Sequence, residues 1–109
     1  MSPVRVQRKR TKGWRMPENT VNVTRPGRWG NPWKEGSTGW TVLPGGLINR
    51  EPHEPLTVEQ AIESFRNSTE YQLTHDPEFL ADLRGKNLAC FCRLDAPCHA
   101  DVLLELANR

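Results

Sequence analysis

Long apolar runs are missing from this 109-residue chain, and with them the roughly 20 consecutive apolar residues that a membrane span requires. The first residues contain no apolar h-region, so export by a standard signal is not expected. Cysteine is scarce and odd in number, three residues in all, which argues against a disulfide framework and for a reducing compartment. These absences predict a cytoplasmic protein with no membrane partner. Internal repeats and low-complexity tracts are absent as well. Hydrophobic residues reach only 36% and mean hydropathy is -0.70, which is polar for a globular chain but not polar enough for full disorder. At 12.5 kDa the expectation is a single domain over residues 1–109 with a small core that needs reinforcement.

What is present is unevenly placed. Nine of the fifteen Lys and Arg lie in residues 1–34, against one acid, Glu18, and the other twelve acids follow later. All four tryptophans (Trp14, Trp29, Trp33, Trp40) fall in the first 40 residues. Basic side chains interleaved with flat aromatics suit phosphate neutralisation combined with stacking on bases. The same pattern also describes a solvated basic arm whose tryptophans cover a small core.

Local patterns predict the elements. Residues 1–16 read as a basic arm or edge strand, with weak alternation at Val4 and Val6, and Thr20–Thr24 reads as a β-branched strand. Residues 34–55 read as a loop or hairpin insertion, with Pro44-Gly45-Gly46 joining Trp40–Leu43 to Leu47–Asn49. A loop that long in a small domain points to function. Thr57 and Gln60 form a capping box ahead of an apolar face at Val58, Ala61, Ile62 and Phe65. Asp76-Pro77 marks a second helix with Phe79, Leu80 and Leu83 on its face and Gly85 at its end. Leu88–Cys92 reads as a strand buried on both faces, and Pro97-Cys98-His99 opens a last helix through Leu106. The link from Thr24 to Leu88 has crossover length, so these two strands should run parallel. The fold class expected is a small α/β, Rossmann-like sandwich with a short, partly parallel sheet and about three helices.

The three cysteines share one nine-residue window, Cys90 to Cys98, with His99 directly after. In a strand Cys90 and Cys92 point to one face, and Cys98 and His99 begin a helix beyond the strand's carboxyl end, where open α/β sheets hold ligands. Cys90, Cys92, Cys98 and His99 are therefore candidate ligands for a tetrahedral Zn²⁺. Adjacent helical residues point about 100° apart, which sets Cys98 and His99 at odds as joint ligands. A second reading makes Cys98 a thiolate activated at the helix N-terminus, with His99 or Asp101 as its proton partner; all three are then catalytic candidates. Asp101 also suits the helix dipole with no further role. His53 and His75 read as surface residues.

Arg25 to Trp33 (R-P-G-R-W-G-N-P-W) follows the first confident strand at its carboxyl end. Arg25 and Arg28 could clamp an anion, Trp29 could stack on a planar ring, and Asn31 could bond a ring edge or ribose. Alternatively, Trp29 plugs the core and Asn31 caps a turn. Taken together, R-P-x-x-W-G-N-P-W and L-x-G-K-x-L-x-C-x-C…P-C-H-x-D-x-L resemble the domain of unknown function family 4326, small proteins frequent in bacteriophage and actinobacterial genomes. The matching positions are Arg25, Pro26, Trp29, Gly30, Asn31, Pro32, Gly85, Cys90, Cys92, Cys98, His99 and Asp101. The chain departs from the pattern at Trp33, where Phe is frequent, and in a longer Thr38–Pro55 segment. The resemblance implies a compact α/β domain that carries both motifs together, in the bacterial host cytoplasm if phage-encoded. It names no activity.

Three functions follow from these residues. The first is a metal-stabilised module binding nucleic acid or a nucleotide through the Cys/His cluster and the Arg/Trp/Asn loop, with Arg8–Lys12 adding phosphate attraction. The second is an enzyme processing a nucleotide or nucleotide sugar through Cys98 or the metal. The third is a phage accessory protein binding a host protein. The sequence is silent on oligomeric state.

Overall fold

The computed structural model describes residues 3–25 and 27–109; Pro26 of the Arg/Trp/Asn motif lies outside the described residues. Along the chain run β1 (Arg5–Gln7), β2 (Thr20–Asn22), β3 (Thr41–Val42), β4 (Ile48–Asn49), helix α1 (Val58–His75), a 3-10 turn (Ala81–Leu83), β5 (Asn87–Cys90) and helix α2 (His99–Ala107). They fall into two compact units, Met1–Gly30 with Leu80–Arg109, and Asn31–Phe79. Among the described residues no helix is long and apolar enough to cross a membrane.

The first unit is built around β5. Both its edges are taken by parallel partners in the order β1-β5-β2, with Val6 opposite Ala89 and Val21 opposite Leu88. The predicted parallel pairing of the Thr20 and Leu88 strands is thus present. Leu88, Ala89 and Cys90 are fully buried, as an unbroken apolar run on a central parallel strand should be. Helix α2 packs on β5 and β1, burying Ala100, Leu103 and Leu106. Both predicted strands end earlier than expected. β2 stops at Asn22 because that side chain turns back on the backbone, its Oδ1 accepting from the Thr24 N–H at 3.0 Å and the Thr24 hydroxyl at 2.6 Å. β5 stops at Cys90, and Phe91 and Cys92 lie in the bend beyond it.

The expected helix after Asp76-Pro77 is not an α-helix, so the described residues hold two α-helices where about three were expected. The segment is short, Gly85 ends it at φ +75°, and a short α-helix cannot offset its nucleation. A 3-10 turn repeats every three residues, which puts Leu80 and Leu83 on one side, and both are buried. The two α-helices also belong to different units, so the Rossmann-like expectation narrows to a mixed α/β chain with a three-stranded parallel sheet.

The second unit pairs the predicted hairpin with α1. β3 and β4 run antiparallel, Thr41 opposite Asn49, and the turn closes through Leu43 N–H to Leu47 O at 2.8 Å. Gly46 sits at φ +87°, and a Cβ there would enter the Tyr71 ring, so the turn needs glycine on two counts. The capping box forms as predicted: Gln60 N–H donates to Thr57 Oγ1 at 3.1 Å and Thr57 N–H to Gln60 Oε1 at 2.9 Å. Ser64 and Asn67, buried on α1, clasp Val42: the Val42 N–H donates to Ser64 Oγ, and Asn67 Nδ2 donates to the Val42 carbonyl, both at 2.9 Å. These side chains do for β3 what a neighbouring strand would.

Replacing Thr57 by Ala removes one half of the capping box. We expect a loss of about 1 kcal/mol in chemical denaturation, with the slope unchanged.

Candidate functional site

Three sulfur atoms gather at the carboxyl end of β5. The Sγ atoms of Cys90, Cys92 and Cys98 all lie within 4.8 Å of one another. Cys90 is delivered by the strand, Cys92 by the bend and Cys98 by the N-cap of α2. The intervening turn is held from β1. Arg5 donates to the carbonyls of Arg93 at 3.0 Å and Leu94 at 2.7 Å, and pairs with Asp101 at 3.0 Å. Asp101 therefore anchors the first turn of α2 to β1, a role nearer to its simple reading than to proton transfer. The Arg5 side chain is 8% exposed and that of Asp101 56%, so the pairing reaches solvent on its carboxylate side.

The clash expected between Cys98 and His99 does not arise. Cys98 has an extended backbone (φ -152°, ψ 147°) and only His99 begins the helix, so the 100° helical offset does not apply between them. The Cys98 Sγ lies 3.7 Å from His99 Nδ1. His99 is buried, and its Nε2 lies 2.7 Å from the Val23 carbonyl just past β2. A carbonyl only accepts, so Nε2 carries hydrogen and Nδ1 is turned towards the sulfurs. His99 is not one of the three groups that all lie within 4.8 Å of each other.

The thiols are not equivalent. Cys90 and Cys98 are 2.9 Å apart and share a hydrogen. Accepting it from Cys98 holds the Cys90 thiol below its ordinary value. Cys98 is pushed up to about 11, first because it donates to Cys90 and then by burial. Burial also raises Cys92. The expected Cys98 thiolate activated by the helix end is therefore not favoured: Cys98 is the thiol pushed up and Cys90 the one lowered.

The Arg/Trp/Asn loop is divided between the units. Arg25, Arg28 and Trp29 belong to the first, and Asn31 to the second. Arg25 is exposed, and its backbone runs so close under Gly30 that a Cβ there would meet the Arg25 Cα at 3.0 Å. The Arg28 guanidinium lies 4.4 Å over the Trp29 ring and 3.8 Å from Asp82. Asn31 is buried: its Oδ1 accepts from the Trp33 N–H at 2.9 Å, and its Nδ2 reaches the Ala61 carbonyl at 3.4 Å. Both ends of Asn31 bond within the fold, as in the reading in which it caps a turn. Trp33 is buried next to it, donating from Nε1 to the Trp40 carbonyl at 3.0 Å.

A second aromatic and arginine group appears only in the folded chain. The guanidiniums of Arg8 and Arg10 each lie 4.6 Å from the centroid of Phe91, the residue between Cys90 and Cys92. Arg8 also donates to Asn22 at 3.2 Å and Thr24 at 3.0 Å, while its buried Nε has no partner among the described residues. Spacing along the chain gives no hint that residues 8 and 10 meet residue 91; only the parallel pairing of β1 with β5 does.

A family model described as a domain of unknown function (DUF4326) matches residues 6–109. No curated protein and no solved structure matches the chain.

Asn31→Ala strands the buried Trp33 N–H. We expect about 1–3 kcal/mol of destabilisation in a denaturant titration. A variant as stable as the parent would return Asn31 to the list of ligand contacts.

Proposed function

The chain belongs to the DUF4326 family, and from that premise we propose that it is a metal-stabilised α/β module that binds nucleic acid or a nucleotide beside a zinc centre. The observation that carries the metal is the convergence of three thiols, two of them buried, at the end of the central strand. Charge on a buried sulfur is costly without a cation, and soft sulfur donors suit Zn²⁺. With Zn–S near 2.3 Å and Zn–N near 2.0 Å, tetrahedral S–S and S–N edges are about 3.8 and 3.6 Å. The 3.7 Å between Cys98 and His99 fits such an edge, and the 2.9 Å between Cys90 and Cys98 needs to open by roughly 1 Å. His99 is the fourth ligand in this reading. The carbonyl that holds its Nε2–H orients the ring as outer partners of metal-bound histidines do. Bound there, the ion would tie the β5 bend to α2 and to the end of β2.

Arg8, Arg10 and Phe91 support the nucleic-acid part, since Phe91 is 38% exposed with two guanidiniums against it. Arg25, Arg28 and Trp29, which follow the carboxyl end of β2, supply further charge and a further ring. Catalysis by Cys98 as a nucleophile gains no support from a thiol pushed up to about 11.

Native mass spectrometry with elemental analysis of the untagged protein should find one zinc per chain, lost in Cys92→Ser. Folded, metal-free protein refutes the centre. In fluorescence anisotropy, a labelled single-stranded oligonucleotide should bind with log K falling linearly with log salt, and Arg10→Ala should reduce that slope by about 0.7. Binding that ignores salt, or none at about 50 mM salt, refutes the nucleic-acid part.

A further inference from the structure

The stretch 34–55, whose length points to function, finds no use in the zinc centre. It builds a cavity of about 450 Å³ inside the second unit, between the β3–β4 hairpin, residues 53–56 and one side of α1. That volume lies within the roughly 300–1,000 Å³ typical of small-ligand sites. We propose that this cavity binds an organic cation carried on an apolar stem, of the kind an arginine or lysine side chain presents. The proposal goes beyond the zinc and nucleic-acid reading and uses none of its residues.

Three features specify the ligand. Val42, Leu43, Pro44 and Leu56 supply the apolar surface, against which an alkyl stem can lose its water. Glu54 and Glu63 also line the cavity, both are exposed, and neither has an ion pair among the described residues. No Lys or Arg lines it, so its field is negative and repels anions. Asn67, 8% exposed, spends its Nδ2 on the Val42 carbonyl. Its Oδ1 receives no hydrogen bond among the described residues and remains an acceptor in the cavity wall, available to an N–H donor.

His53 turns no ring nitrogen to the ligand. Bonding two carbonyls, which only accept, makes its ring a single positive charge against the two carboxylates of Glu54 and Glu63, so the lining stays net negative. Its Nδ1 and Nε2 both lie 2.6 Å from main-chain oxygens, of Glu54 and Gly39. The ring expected on the surface is instead a half-buried piece of the wall. Asn49, Gln60 and Thr41 can donate as well as accept, but Glu54 and Glu63 give the lining its net charge, which favours a cationic donor over a neutral or anionic ligand.

The test uses the full chain and two probes of nearly equal shape, Nα-acetyl-arginine methylamide and its neutral citrulline counterpart, followed by backbone NMR. The expected result is saturable shifts at Val42, Leu56 and Asn67 with the arginine probe, and at least tenfold weaker binding of the citrulline probe. Glu54→Gln with Glu63→Gln, both exposed and outside the core, should weaken the arginine probe at least tenfold while leaving the remaining spectrum in place. Equal binding of both probes, shifts confined to other residues, no shifts, or an unchanged affinity in the double variant each overturn the proposal.

Discussion

The first unit depends on one constraint: β5 is paired on both edges by parallel strands. Parallel pairing sends the carboxyl ends of all three strands out on the same side, so whatever follows β5 emerges beside the ends of β1 and β2. From β1 come Arg5, which grips the turn after β5, and Arg8, which lies on Phe91. From just past β2 comes the Val23 carbonyl that orients His99. Cys90 is the last residue of the central strand, so its thiol starts out buried at the point where these parts meet. Remove the double pairing and the turn after β5 loses Arg5 while His99 loses the Val23 carbonyl.

The two units answer the problem of a small core differently. In the second, polar side chains replace missing strands. Ser64 and Asn67 satisfy both main-chain groups of Val42, and Asn31 satisfies the Trp33 N–H. A two-stranded hairpin is marginal alone, and this clasp to α1 makes it part of a packed body. In the first unit the equivalent reinforcement falls on the region of the cysteines. Arg5 bridges the turn and α2 with three contacts, and the sulfurs gather under it.

The asymmetry of the thiols follows from the same crowding. A hydrogen shared between Cys90 and Cys98 can sit on only one of them, and burial penalises charge on either. The result is one thiol lowered and one pushed up, which does not favour Cys98 as a nucleophile. A cation among them would relieve both, because it replaces the shared proton as the counter-charge.

Local signals in the sequence determined the elements whose causes are themselves local. The Thr57–Gln60 box set the start of α1, Gly45-Gly46 set the hairpin turn, and the apolar run from Leu88 marked a strand buried on both faces. The clustering of Cys90, Cys92, Cys98 and His99 marked the site, because four such donors in ten residues cannot be far apart. Strand ends were less legible: Asn22 folding onto Thr24 and the bend after Cys90 shortened β2 and β5. The Asp76–Gly85 helix failed because its burial needs were met by a single 3-10 turn. Tertiary structure alone decided which side chains are spent on the fold. Asn31 and Asp101 each carried two readings, and the bonds they make are to the Trp33 N–H and to Arg5; Arg8 and Arg10 meet Phe91 across more than 80 residues of chain. Residue type limits what a polar group can bond, but which partner it meets depends on contacts between distant segments, and no periodicity along the chain encodes them.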